Sequence, residues 1–154
     1  MDYLTIFIPL ILGQIPSIFC PMNKQDFYPK VQPAGWVFGV VWTTLYLLMG
    51  LYTYFLLKNV RMNGWTAHTT LLIAMFACMM IVNLSWIPTF SCYNKKKLAL
   101  YLLGLHQLVA MVLVTASIIH KDHYVRIGGV MMTPLVWWLF CASYLNAKIV
   151  ENTV

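Results

Sequence analysis

Acidic side chains are nearly missing from this sequence: Asp2, Asp26, Asp122 and Glu151 are the four among 154 residues. Hydrolysis by paired acids and proton relays built on carboxylates therefore find no residues inside the apolar stretches. Charge of either sign is scarce, at 9% of residues against 61% hydrophobic. A soluble domain carries about a quarter charged and under half apolar residues. With a mean hydropathy of +0.75, the solvent for most of this chain is lipid. Catalytic signatures are missing too: there is no G-x-S-x-G, P-loop, H-E-x-x-H or Rossmann glycine run. Cys20, Cys78, Cys92 and Cys141 form no C-x-x-C pair. Most sit in apolar runs, so small buried hydrophobes are expected rather than a disulfide framework or a zinc site, and the redox compartment is not legible. Low-complexity segments, linkers and internal repeats are also missing.

The charges that are present are informative by position. Lys and Arg number 10, for a net charge of +6. They form no patch with interleaved aromatics, which argues against nucleic acid and for loops at a membrane face. All charged residues fall in six clusters, leaving uncharged stretches 3–23, 31–57, 62–94, 98–120 and 127–147, the shortest 21 residues long. A helix needs roughly 20 apolar residues to cross about 30 Å of hydrocarbon. The runs are continuously apolar, unlike the alternating segments of a β-barrel. The expectation is an all-α membrane protein: one domain, 1–154, forming a bundle of five transmembrane helices over about 3–22, 34–57, 65–88, 98–120 and 127–147. Pro9, Gly13, Pro16 and Pro21 predict a kinked first span. A signal peptide fits it less well, because Asp2 replaces a basic start and no small-x-small cleavage site follows. Lys24, Lys30, Lys95, Lys96, Lys97 and Lys148 fall on one face, against Lys58, Arg61, Lys121 and Arg126 on the other. Six against four favours a cytoplasmic carboxyl terminus.

Polar groups inside spans are the informative ones. Trp36, Trp42, Tyr46, Tyr52 and Tyr54 mark the second span, Asn83 and Trp86 one face of the third, and Trp137, Trp138, Tyr144 and Asn146 the fifth. Clustered, they would line a cavity for a flat, mostly apolar ligand. The same residues also fit interfacial belts and interhelical hydrogen bonds. His120 and His123 read as a solvated loop rather than metal ligands. His106, in the fourth span, is the better haem-ligand candidate, although a hydrogen-bonded helix contact accounts for it too. No metal site is expected. Gly35-x-x-x-Gly39 has the spacing of close helix packing.

Three segments carry a resemblance. Pro33-Ala34-Gly35-Trp36-Val37-Phe38-Gly39-Val40-Val41-Trp42-Thr43-Thr44-Leu45-Tyr46, continuing to Met49-Gly50, lies on span two. Asn83-Leu84-Ser85-Trp86 lies on span three, and Pro134-x-x-x-Trp138 with Leu145-Asn146 on span five. In this order they resemble the TspO/MBR family of tryptophan-rich sensory and translocator proteins, also called peripheral benzodiazepine receptors. The resemblance implies a membrane receptor or translocator with an intrabundle pocket for porphyrins (haem, protoporphyrin IX), for cholesterol, or for other flat apolar ligands. It implies no obligatory cofactor, the porphyrin being the ligand. By alignment the pocket would be lined by Phe38, Trp42, Asn83, Trp86, Trp138, Ala142 and Leu145. It further implies a homodimer, placed in the mitochondrial outer membrane of a eukaryote or otherwise in a cell membrane.

Departures bear on the ligand. Val31, Ala34 and Leu135 replace usual family residues, and Ala147 and Glu151 stand where the animal cholesterol motif has a tyrosine and an arginine. Porphyrin is therefore favoured over sterol. Two other functions compete: a light-dependent porphyrin-degrading membrane enzyme using Trp42 and Trp138, and a structural partner assembling through small-residue faces such as Ala74 and Cys78.

Overall fold

A computed structural model describes residues 2–21 and 34–152. Among these residues every regular element is helical. A 3-10 helical segment, Asp2–Phe7, runs into α1, Ile8–Phe19. Next come α2, Gly35–Asn63, and α3, Ala67–Ile87, which a π-helical turn, Pro88–Cys92, prolongs. The chain ends in α4, Lys96–Ile118, α5, His123–Met131, and α6, Thr133–Asn152. Four stretches are long and apolar enough to cross a bilayer: Gly35–Asn63, Ala67–Cys92, Lys96–Ile118 and His123–Glu151. The remaining apolar helix, Tyr3–Phe19, is shorter. Its opening 3-10 turns rise about 2.0 Å per residue against about 1.5 Å in an α-helix, which stretches it toward ~30 Å. The protein is a multi-pass membrane bundle of five helical spans.

Each junction has a local cause. The Thr66 hydroxyl caps α3 by accepting the Thr69 N–H at 3.1 Å. Pro88 lacks an N–H, and past it the backbone widens: the Tyr93 N–H reaches back to the Pro88 carbonyl, five residues away, at 2.9 Å. The fifth span, expected as one helix over 127–147, is two. Pro134 has no N–H to give the Val130 carbonyl, and the Thr133 hydroxyl takes that acceptor at 2.8 Å. The helix accordingly breaks at Met132 between α5 and α6. Pro16 lies inside α1, which continues past it to Phe19. The expected loop 24–30 lies outside the described residues, as does Val31.

The spans close into a ring. α1 packs on α2 and α3, α2 on α5, and α4 on α3, α5 and α6, while α2 and α3 meet only sparsely. Leu45, Met49, Tyr52, Leu72, Met79, Leu113 and Leu139 fill the shared core. Tyr52 and Ser117 join α2 to α4 by a buried 2.7 Å hydrogen bond. Large apolar side chains such as Ile11, Val40, Leu71, Ile81, Tyr101 and Leu108 point outward, as lipid requires and water would not tolerate in such number.

The cysteines differ from expectation. Cys20 and Cys92, 72 residues apart, are joined in a disulfide, with Cα atoms 5.5 Å apart. Cys78 and Cys141 are free and exposed on the outer surface instead of buried. Scattered spacing conceals such a pair, because the ring brings the end of α1 beside the end of α3.

Candidate functional site

The sparse α2–α3 contact leaves room for a cavity of about 170 Å³. The first turns of α2 supply Gly35, Phe38, Gly39, Trp42 and Tyr46, the end of α3 supplies Asn83, Trp86 and Ile87, and α1 supplies Gly13, Gln14 and Ser17. Spacing explains the alignment: positions 35, 38, 39, 42 and 46 recur at three or four residues, one stripe of one helix. Asn83 and Trp86 share a stripe in the same way.

The cavity is aromatic and has a polar floor. The Asn83 amide donates to the Tyr46 hydroxyl at 3.0 Å, buried. Tyr46 can therefore direct its own proton elsewhere. The Trp42 and Tyr46 rings lie 5.6 Å apart at 31°. Trp86 stacks on Phe90 at 5.2 Å and 26°. Tyr46 fits only because residue 13 is glycine: a Cβ there would fall inside the Tyr46 ring. The indole N–H groups of Trp86 and Trp138 are buried without a hydrogen-bond partner, the kind of group that calls for a ligand or a water.

Four of the seven expected pocket residues, Phe38, Trp42, Asn83 and Trp86, line this cavity. Trp138 stands one ring away, edge-on to Phe38 at 5.6 Å and 69°. It also lines a separate lipid-facing groove of about 580 Å³ between α2 and α6, with Trp137, Thr44 and Leu48. Ala142 is instead a core residue, 8% exposed and packed with Leu139. Leu145 is half-buried and outside the cavity lining. Both lie on α6 beyond Trp138, and neither is among the residues that line the cavity. Gly13 and Gln14 were missed as cavity residues, and Tyr46, named among the polar residues of the second span, was left out of the aligned pocket. The stripe 35, 38, 42, 46 offered a signal for Tyr46; nothing in the sequence marked α1.

The histidines separate. His106 is 1% exposed with neither ring nitrogen hydrogen-bonded. It does not line the aromatic cavity, so the structure shows neither the expected hydrogen-bonded contact nor a position facing a cavity ligand. His120 lies in the turn before α5, and His123, exposed, is the first residue of that helix rather than part of the loop. His120 Nδ1 accepts the Asp122 N–H at 3.0 Å, and the His120 ring lies 4.7 Å from that of His68. Among the described residues no group of three potential ligands could hold a metal.

A family model for TspO/MBR proteins matches residues 5–151. The chain belongs to the TspO/MBR family. Similar relatives include the tryptophan-rich protein TspO of Chlorobaculum tepidum, 26% identical over 92% of this chain and 89% of that one. Its counterpart in Archaeoglobus fulgidus is 28% identical over 91% and 88%. The translocator protein of Bos taurus is 24% identical over 80% and 70%. In this TspO/MBR chain the tryptophans divide by environment. Trp36, Trp65 and Trp137 are exposed at the surface, whereas Trp42, Trp86 and Trp138 surround or adjoin the cavity.

Proposed function

We propose that this membrane protein is a receptor or translocator that holds a porphyrin, haem or protoporphyrin IX, in the aromatic cavity between α1, α2 and α3. The observation that carries this reading is the cage itself: Phe38, Trp42 and Trp86 around a tyrosine–asparagine pair, closed by carbon on most sides. Indoles stack on a flat conjugated ring, and the Tyr46 proton and the Trp86 N–H are donors for a propionate or a ring nitrogen. The names of the relatives, tryptophan-rich protein and translocator protein, agree with a membrane protein built around such residues.

Size argues that the cavity must open. Pockets for drug-sized ligands run about 300–1,000 Å³, more than the 170 Å³ found. Beyond the Phe38–Trp138 contact lies the larger α2–α6 groove. Turning those two rings would join the spaces and expose the buried Trp138 N–H to the ligand. Trp138 then acts as a wall that becomes a contact, which suits a ligand dissolved in lipid.

The test is a titration in nanodiscs with protoporphyrin IX in the dark, followed by tryptophan fluorescence. Saturable quenching that weakens at least tenfold in Trp138→Ala and in Asn83→Ala is expected. Equal, non-saturating quenching in all three proteins would mean the porphyrin only partitions into lipid, and the reading would fall. Cholesterol competing for the same quenching would widen the ligand class to sterols. Illuminating the complex separates holding from breakdown: bleaching that depends on both Trp42 and Trp138 would make the site an enzyme's.

A further inference from the structure

The disulfide joins two walls of the cavity just beyond its rim. Cys20 follows α1 directly, and Cys92 closes the π-helical turn after α3. Gln14 and Ser17, in the turns before Cys20, line the cavity, as do Trp86 and Ile87 before Cys92.

α1 is seated unevenly between its two ends. Near the start, Tyr3 stacks on Tyr54 with rings 5.6 Å apart, and Gly50 admits the Ile6 carbonyl where a Cβ would collide with it. Gly13 admits the Tyr46 ring in the same way. Beyond Gly13 the packing thins: Gln14, Ile15, Ser17, Ile18 and Phe19 are exposed, and Cys20, at 8%, is the buried residue of the final turn. The last two turns of α1 therefore bury few side chains, and the disulfide ties them covalently to the end of α3. Packing that thin opens at low free energy once a tie is cut.

The bond also stands on an unexpected face. Lys95, Lys96 and Lys97 follow Cys92 closely, and Lys24, Lys30 and Lys148 share that end of the bundle by chain order. A lysine-rich face orients to the cytoplasm, where small thiols keep most disulfides reduced. Cys92 is exposed, so an incoming thiolate can reach its sulfur, and neighbouring cations favour thiolates.

We propose that Cys20–Cys92 is a thiol-exchange site for a small thiol of the glutathione class, and that its reduction frees the last turns of α1 and opens the cavity rim. A thiolate attacks Sγ of Cys92; the S–S bond breaks and its electron pair leaves on Sγ of Cys20, which takes up a proton. A second thiolate attacks the mixed disulfide, releasing the small disulfide and the Cys92 thiolate, which is protonated in turn. Two thiols are oxidised to one disulfide while the protein pair gains two electrons and two protons. The consequence for ligand capture rests on the porphyrin reading; the release of α1 does not.

The wild-type protein in nanodiscs, equilibrated across glutathione buffers, is followed by differential alkylation and by hydrogen exchange. Cys20 and Cys92 are expected to become alkylatable together as the buffer grows reducing, while the labelling of Cys78 and Cys141, which lie within spans, stays the same in every buffer. Exchange over residues 14–20 should then quicken at least tenfold, with α2 and α4 unchanged. Cys20→Ser with Cys92→Ser should show the fast exchange even in oxidising buffer. Full alkylation of Cys20 and Cys92 in oxidising buffer, a bond that no glutathione ratio reduces, or exchange that ignores the bond would each overturn the proposal. Protoporphyrin IX is added last. Faster association in the reduced state supports control of capture, and equal rates refute it. If neither state binds while α1 still responds, the porphyrin reading fails and the thiol-exchange site stands.

Discussion

Gly13 and Gly39 are the same residue in two environments, and the same substitution should act oppositely. A Cβ at Gly13 would overlap the Tyr46 ring, which has Asn83 on its hydroxyl and Trp42 beside it. Gly13→Ala must displace that ring, and overpacking of this kind costs about 1–3 kcal/mol. At Gly39 a Cβ meets nothing within 4 Å. Gly39→Ala therefore keeps the packing and restricts the unfolded chain, a gain of about 0.4–1 kcal/mol. Thermal unfolding in detergent should move down for the first and stay or rise for the second; a fall in both would place an unseen neighbour against Gly39. The sequence pointed the other way, since Gly35-x-x-x-Gly39 has the packing spacing and Gly13 stands alone. Spacing shows that two small residues share a face. It does not show whether another helix lies against that face, and here the stripe borders the cavity. The same limit applies to Ala142: alignment placed it on α6, but the core packed around it decides what it touches.

Elements were legible where lipid imposes the rule, because an apolar run of some 20 residues admits few conformations besides a helix. Their ends were not, since lysine and arginine reach toward water from inside a helix: α2 continues through Lys58 and Arg61 to Asn63. The turn from α4 to α5 shows what closes an end. Asp122 caps α5 through the N–H groups of Tyr124 and Val125 and accepts from Asn63 on α2. Partial burial pushes the Asp122 carboxyl up. The donors Val125 N–H, Asn59, Tyr124 N–H and Asn63 outweigh it and hold the carboxyl below its ordinary value. Burial lowers the His120 pKa, and the neighbouring His68 lowers it further, against the pull of Asp122. Both folded-state pKa values are depressed, so both groups contribute stability that is complete above their unfolded pKa and lost as pH falls. Of the two, His120 gives way first as pH falls, and a proton on its Nδ1 displaces the Asp122 N–H. Exchange over residues 119–125, corrected for intrinsic rates, should rise several-fold between pH 7 and pH 5. His120→Asn retains an acceptor without titrating and should flatten that rise. A rise that persists in the variant would remove His120 as its cause.

At the scale of the whole molecule, the charge pattern and the ring of helices answer different questions. The ring fixes which spans touch, and it accounts for the cavity, since α2 and α3 are neighbours of α1 more than of each other. No charge count contains that order, so the aromatic cage became visible only with the fold, although each of its residues stood out in the sequence. Orientation in the membrane is the reverse case, a question for the loop charges and not for the core. Six lysines mark the carboxyl-terminal face against four Lys and Arg on the other. Replacing Lys30, Lys95 and Lys97 by Gln leaves three against four and spares Lys96, whose ammonium donates to the Phe90 carbonyl at 3.1 Å. Lysine and arginine counts in short loops set topology, so the triple variant should insert in both orientations or invert. A carboxyl-terminal tag probed with protease on bacterial spheroplasts that express the protein in their inner membrane reads the outcome: protected in the wild-type protein, cut in a substantial share of the variant. If the tag stays protected in both, the order of insertion rather than the lysine count holds the orientation.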